Sequence, residues 1–393
     1  MVPWYRELDL SNSNIVNDHV LHFVGAHCKK LEKLNVCGCH HITPDVRCNH
    51  WNLRVSITNA VQGLLNFLKS AKGIKSLQIV KTKVHQNHQL KSFESENCAA
   101  CPAGEKRGEL ARVLAQRPLE QLELWKDCTP SEVSAFLSAK KLHRFRVFDC
   151  QPSAAMEAAL RSFFEQRGKH ITHLEVMNCS AITDAILLHP SKGTLRLGKV
   201  KQFVLQDAAH ITSQCIRALQ AHSRTLEHLS LCWTENRETR PYNDADLAFA
   251  LRGDSKGPPA LRTLSLHRAG CVEGCVGEKT GLAIASFAQS LVHLDLSYCY
   301  HIPNSALLKI ADCVESLRFL SLIHTRTESG TLRLFLGKSS ASLQELEVDL
   351  CYRVNSAALL EASNCSNLRR LSCNQIDEVN GMSTLLLHIR VTQ

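Results

Sequence analysis

The feature that most constrains this chain is a short apolar pattern that returns along almost its whole length. Leu31-Glu32-Lys33-Leu34-Asn35-Val36 is followed by Cys39 and Ile42, and Ile171-Thr172-His173-Leu174-Glu175-Val176 by Cys179, Ile182, Thr183 and Asp184. Leu291-Val292-His293-Leu294-Asp295-Leu296 leads to Cys299 and Ile302, and Leu343-Gln344-Glu345-Leu346-Glu347-Val348 to Cys351 and Val354. Thirteen such units open at Tyr5, Leu31, Ile74, Leu119, Leu142, Ile171, Val200, Leu226, Leu261, Leu291, Leu317, Leu343 and Leu368. Steps of 25 or 26 residues recur among them, and a few units carry extra length.

The spacing dictates the local structure. Apolar residues in alternation make a short strand with one buried face. The segment that follows is helical in several units: Val61, Leu64, Leu65 and Leu68 fall at helical spacing, as do Leu307, Ile310, Ala311 and Val314. Thr129-Pro130-Ser131-Glu132 reads as a capping box with proline at the first helical position. One strand and one helix cannot seal a core, so neighbouring units must stack. Strands pair at about 4.8 Å while helices need about 10 Å, so the stack bends with its strands inside. The expectation is an α/β solenoid of about 13 repeats, a horseshoe with parallel strands on the concave face and helices on the convex face. It is read as one solenoid over residues 1–393, with rim insertions at 43–57, 81–107, 234–243 and 269–280.

The pattern resembles the cysteine-containing subclass of leucine-rich repeats, L-x-x-L-x-L-x-x-C-x-x-I-T-D. That subclass is known from F-box/leucine-rich-repeat proteins and from proteins similar to the antagonist of the mitotic exit network. The resemblance implies a substrate-recognition subunit of a cullin-type (SCF) ubiquitin ligase, with a ligase adaptor among its partners. Such proteins carry a helical F-box ahead of the repeats. Here the first unit begins at Tyr5 and nothing resembles that box, so either the module is absent or the recorded start lies downstream of the true one.

Eighteen cysteines would suit a small secreted scaffold, but a chain of 393 residues can build its core without bridges. Cys39, Cys150, Cys179, Cys299 and Cys351 fall three residues after the last strand leucine, and Cys28, Cys313 and Cys365 at helix ends. These eight read as small buried hydrophobes in the reduced state. Zinc is the one cofactor considered, at His85, His88, Cys98 and Cys101 in the second insertion. A single Cys-x-x-Cys after a His-x-x-His fits a solvated polar loop as well, and the balance lies with that loop and no cofactor.

Forty-six Lys and Arg against thirty-seven Asp and Glu give +9, spread along the chain rather than gathered in blocks. No apolar run approaches the roughly 20 residues of a membrane span, and no targeting segment opens the chain. The expected setting is the cytoplasm, with the nucleus as alternative. Phosphate-loop, metalloprotease and serine-hydrolase signatures are missing, so no enzyme is expected.

Function is expected on the residues that flank the buried strand positions. Trp125, Arg144, Arg146, Phe148, His173, Glu175 and Met177 fall on neighbouring units, and aromatic residues, Met and Arg are the types enriched in protein-binding cores. A non-catalytic protein-interaction scaffold with its partner on the concave face follows. The alternatives are a repeat regulator without a ubiquitin role, or a nucleic-acid-associated protein. Glu345, Glu347 and Asp349 read either as a solvated face or as a second site for a basic partner.

Overall fold

The computed structural model describes residues 7–9, 33–35, 53–56, 76–80, 111–112, 115–116, 119–124, 128–233, 242–253, 257–269, 275–374 and 376. The chain divides into two compact units, Met1–Ile171 with Cys179–Ala181, and Thr172–Asn178 with Ile182–Gln393. Each unit layers helices on one side of a parallel sheet.

The first unit holds β1 (Glu7–Asp9), β2 (Lys33–Asn35), β3 (Leu53–Ser56), β4 (Ser76–Val80), β5 (Gln121–Leu124) and β6 (Arg144–Phe148). Each pairs in parallel with the next. The register sets the repeat residues side by side: Leu8 opposite Leu34, Leu34 opposite Leu53, Leu53 opposite Leu77, and Leu77 opposite Leu122. Among the helices of this unit are α1 (Pro130–Ala135) and α2 (Ala154–Arg167). The Thr129 hydroxyl accepts the Glu132 N–H while the Glu132 carboxylate accepts the Thr129 N–H, so the predicted capping box forms with Pro130 inside the first turn. Phe145 from β6 packs against Phe163 and Phe164 of α2, with ring centroids 4.9 and 5.4 Å away.

The second unit continues the same construction through β7 (His173–Met177), β8 (Gln202–Gln206), β9 (His228–Cys232) and β10 (Thr263–Ser265). It goes on with β11 (His293–Asp295), β12 (Phe319–Ser321), β13 (Glu345–Glu347) and β14 (Arg370–Ser372). All neighbours are parallel and in register, with Leu264, Leu294, Leu320 and Leu346 forming one buried column. The helices are α3 (Asp184–Leu187), α4 (Ser213–Ala218), α5 (Asp244–Leu251), α6 (Glu278–Ala285), α7 (Asn304–Cys313), α8 (Ser329–Ser339) and α9 (Ser356–Leu360).

Thirteen of these strands begin two residues after the thirteen repeat openings. The fourteenth, β3, lies inside residues 43–57, which the sequence pattern had assigned to an insertion. Leu53-Arg54-Val55 has the strand alternation, but His50 stands where the preceding leucine belongs, so the repeat motif passes over it.

The recurrent cysteines satisfy backbone. Cys299 donates to the Leu266 carbonyl at 3.1 Å and Cys351 to that of Leu322 at 3.0 Å, each reaching back one repeat. In the β12 repeat Thr325 takes the place of cysteine, and its hydroxyl donates to the Leu322 carbonyl at 2.8 Å. Cys150, Cys179, Cys299, Cys351 and Cys365 are buried thiols, as expected. Cys150, in contact with Cys128 at 3.1 Å, is pushed up to about 12 by that bond and by burial. Cys313 departs from the expectation and is exposed, because the buried stripe of α7 runs through Leu307, Ile310 and Ala311 to Val314 and Cys313 falls beside it. Cys28 and Cys39 lie outside the described residues.

At four steps of the second unit a second set of contacts ties a helix to its successor. The first helical residue offers its side chain to the backbone N–H that opens the next helix. Asp184 of α3 accepts the Thr212 N–H at 2.9 Å, and Asn304 of α7 accepts the Glu328 N–H at 3.1 Å. Ser329 of α8 accepts the Asn355 N–H at 2.9 Å. Asp244 of α5 does most, taking the N–H groups of Gly277, Lys279 and Thr280 at 2.8, 3.1 and 2.9 Å. These are orphan donors of a helix start, satisfied from outside the helix. At the α6-to-α7 step the capping residue is Pro303, which has no N–H to give. There the helices close directly: a Cβ on Gly281 would stand 2.8 Å from the Ala306 Cβ and 3.1 Å from the Ile302 Cγ2.

Among the described residues no helix is long and apolar enough to cross a membrane. Asp244→Ala should lower stability by about 2–3 kcal/mol, since it strands N–H groups that a carboxylate had satisfied. Denaturant titration followed by circular dichroism measures this, and Asp244→Asn should retain part of the loss.

Candidate functional site

The alternation that buries one side of each strand leaves the other side open. In β7 and β8 every second residue is buried and the residues between are half-exposed. Arg144 is exposed on β6, and Arg146 and Phe148 are half-buried on the same strand. His173, Glu175 and Met177 occupy the half-exposed positions of β7. Trp125, His85, His88, Cys98 and Cys101 lie outside the described residues.

Arg146 is less available than its place in the repeat suggests. Its guanidinium holds the Glu123 carboxylate at 2.9 Å and lies 5.3 Å from the Phe148 ring centroid. Glu123, expected on the water-facing side, is only 1% exposed. The pair is therefore structural, and removing Arg146 would leave a buried carboxylate without its counter-charge.

On the second unit the open positions join into one side-chain web across six strands. The Cys232 thiol touches the Ser230 and Ser265 hydroxyls at 3.0 and 3.5 Å, and Ser265 donates to Asp295 at 2.9 Å. The other Asp295 oxygen accepts the Ser297 N–H at 2.9 Å, and Ser297 meets Ser321 at 2.6 Å. Ser321 then donates to Glu347 at 3.0 Å, and Arg370 lies 3.4 Å from Glu347 and 3.5 Å from Glu345. The Ser372 hydroxyl lies 2.9 and 2.7 Å from the two Asp349 oxygens, and Asp349 also accepts the Asn374 N–H. Small serines let the larger neighbours close over them, which is why Ser297 and Ser321 are buried on the open side. Asp295, Glu347 and Asp349 are thus each held by a serine hydroxyl, and Glu345 by Arg370.

Rings flank this web. His293 stacks on Phe319 with centroids 4.0 Å apart and planes 5° from parallel. After β6, β7, β8 and β10 to β13 the backbone passes through one residue of positive φ. These are Asp149, Asn178 and Asp207, then Arg268, Tyr298, His324 and Leu350. The left-handed region suits Asp and Asn, yet Tyr298 and Arg268 take it at φ of 62° and 56°. The N–H groups of these residues extend the ladder: Tyr298 donates to the Ile323 carbonyl at 2.6 Å and His324 to that of Asp349 at 2.9 Å. Three of them, Arg268, Tyr298 and His324, form a belt with Tyr300 and Tyr352. Arg268 lies 4.6 Å from the Tyr298 centroid, Tyr298 and Tyr300 each stand 5.6 Å from His324, and His324 stands 6.1 Å from Tyr352.

The sequence pattern of alternating strand positions does not reach this belt, because it begins one residue beyond the alternation. Tyr298-Cys299-Tyr300 and Leu350-Cys351-Tyr352 carry the signal: residues that flank a buried cysteine must point away from the core.

Burial lowers His228 and His293 below the ordinary 6.5; for His228 the neighbouring His293 adds to the effect, and for both a nearby carboxylate opposes it. The unfolded chain takes up these protons near pH 6.5 and the folded chain only lower, so the stability they carry above 6.5 is lost as pH falls through the folded values. The urea midpoint should therefore drop between pH 7 and the folded pKa values. His228→Gln with His293→Gln should flatten that slope, and an unchanged slope would contradict the assignment.

Repeat register, parallel one-by-one sheet and helix layer together define the leucine-rich-repeat fold. A chain of the yeast Rad7–Elc1 complex aligns with a TM-score of 0.52 at 15% identity, covering 89% of this chain and 83% of that one. A leucine-rich-repeat protein of Leptospira interrogans gives a TM-score of 0.37 at 13% identity, covering 94% of this chain and 85% of that one. An internalin of Listeria monocytogenes gives 0.30 at 13%, covering 71% of this chain and 86% of that one. No protein-family model matches the sequence, and no curated protein matches it.

Proposed function

We propose that this chain is a non-catalytic protein-interaction scaffold whose open sheet face receives a protein partner. The web from Ser230 to Arg370 carries the reading: it fixes polar groups on a side of the sheet where the core needs none of them. Phe319 and Phe148 add half-buried rings to open positions of β12 and β6. Held polar groups beside rings are the composition of protein-binding patches.

The finer version comes from the repeat type: a substrate-recognition subunit of a cullin-type ubiquitin ligase, working in ubiquitin-dependent degradation in the cytoplasm. The fold neighbour taken from a complex of two proteins, Rad7 and Elc1, is in keeping with a partner-bound scaffold. Nucleic acid is disfavoured on the open face of β11 to β13, where Asp295, Glu345, Glu347 and Asp349 would repel phosphates.

Affinity purification of the tagged chain with mass spectrometry tests both levels. A recovered cullin adaptor supports the ligase version, and its absence with other stoichiometric partners leaves a scaffold of another pathway. Phe319→Ala and Phe148→Ala should each reduce recovery of a partner on that unit by about tenfold, as loss of one anchoring ring does, with unchanged circular dichroism. Full recovery from both variants would remove the sheet face from the interface.

A further inference from the structure

We propose that the open face of β11 to β13, with the ring belt at its edge, is a docking surface for an extended, arginine-bearing segment of a protein partner. This rests on the scaffold reading and names the chemistry of the partner.

Charge makes the first argument. The whole chain carries +9, yet the open positions of β9 to β14 hold Asp295, Glu345, Glu347 and Asp349 against Arg370 alone among Lys and Arg. The acids are also fixed. Ser265, Ser321 and Ser372 hold Asp295, Glu347 and Asp349 by hydroxyl bonds of 2.9, 3.0 and 2.7 Å, so an arriving cation meets oriented acceptors.

The belt makes the second argument, independent of charge. Tyr298 occupies a left-handed position that a bulky side chain takes at a conformational cost, where Asn178 and Asp207 fill the same register more readily. Tyr300 and Tyr352 flank buried cysteines, and Tyr352 is 50% exposed although nothing in the core requires a ring there. Retaining large rings at such positions is intelligible if they meet something outside.

The chain's own arginines identify the ligand. Arg268 lies over the Tyr298 ring at 4.6 Å, and Arg370 bridges Glu345 and Glu347 at 3.5 and 3.4 Å. Both guanidinium modes, stacking on a ring and forking onto carboxylates, are thus in use at the two ends of the surface. Between them Tyr300, Tyr352 and Asp349 offer the same chemistry. From β10 to β14 there are four strand spacings of about 4.8 Å, roughly 19 Å, the reach of about six extended residues. Lysine would keep the charge but lose the fork and much of the stacking.

The test is fluorescence anisotropy of the full chain with three labelled peptides of one length, rich in arginine, lysine or glutamate. The arginine peptide should saturate, the lysine peptide should bind at least about threefold more weakly, and the glutamate peptide should not bind. Glu345→Gln with Glu347→Gln, and separately Tyr300→Ala with Tyr352→Ala, should each raise Kd about tenfold while circular dichroism stays unchanged; Tyr352→Phe should bind like the native chain. Arginine-peptide binding untouched by both double variants overturns the proposal, as does preference for the glutamate peptide or for a single-stranded oligonucleotide. If partners recovered by affinity purification persist with the four-site variant while the arginine peptide shows no binding, the docking surface is lost and the scaffold reading stands.

Discussion

The structure depends on how each repeat is fastened to the next on the helix side. A strand ladder alone fixes spacing at one edge of the repeat; helices left unfastened could slide or splay. At four steps one side chain, Asp184, Asp244, Asn304 or Ser329, reaches from the first turn of its own helix to the donor that opens the neighbour. The bond serves two needs at once, since it satisfies an N–H that no intrahelical partner can reach and sets the lateral offset between helices. With both edges of the repeat fixed, the strands stay in one register over the second unit, and the serines and carboxylates of the open face line up from rung to rung.

The open face inherits its chemistry from this regularity. A position repeated at strand spacing turns a local choice of residue into a row. Serine at one repeat position, Ser230 of β9, Ser265 of β10 and Ser321 of β12, supplies hydroxyls, and the carboxylates of β11 and β13 complete a connected network rather than an isolated set of pairs. The thiol at the inner turn belongs to the same economy of small polar groups. Cys299 and Cys351 cap carbonyls of the preceding repeat, and Thr325 gives its hydroxyl to the Leu322 carbonyl of its own repeat, the same one Cys351 reaches.

Most of the strand register was legible in the sequence, because a buried column admits little besides leucine-like residues at fixed spacing. β3 was not, since His50 breaks the opening leucine and only the pairing with β2 and β4 reveals Leu53–Ser56 as a rung. The open positions of β6 and β7 were also legible by alternation, but the state of Arg146 was not: Glu123 lies one strand away, and only packing shows that the two charges are committed to each other. The belt of Tyr298, Tyr300, His324 and Tyr352 escaped because it follows the end of the strand, where alternation no longer sets the direction of a side chain; Tyr298 and His324 stand there at positive φ. The bonds between helices join residues 24 to 36 positions apart, so no single repeat displays them.

Pro303 and Gly281 give one joint in this array a different character. Where other steps are fastened by a polar bridge that water could replace in part, this one relies on bare contact between two helix surfaces. It admits no added bulk: even one methyl group at residue 281 must drive α7 outward, and the displacement would be felt by every rung that follows. Divergence along such an array is therefore unequal, with polar substitutions absorbed elsewhere and steric ones forbidden at this hinge-free seam.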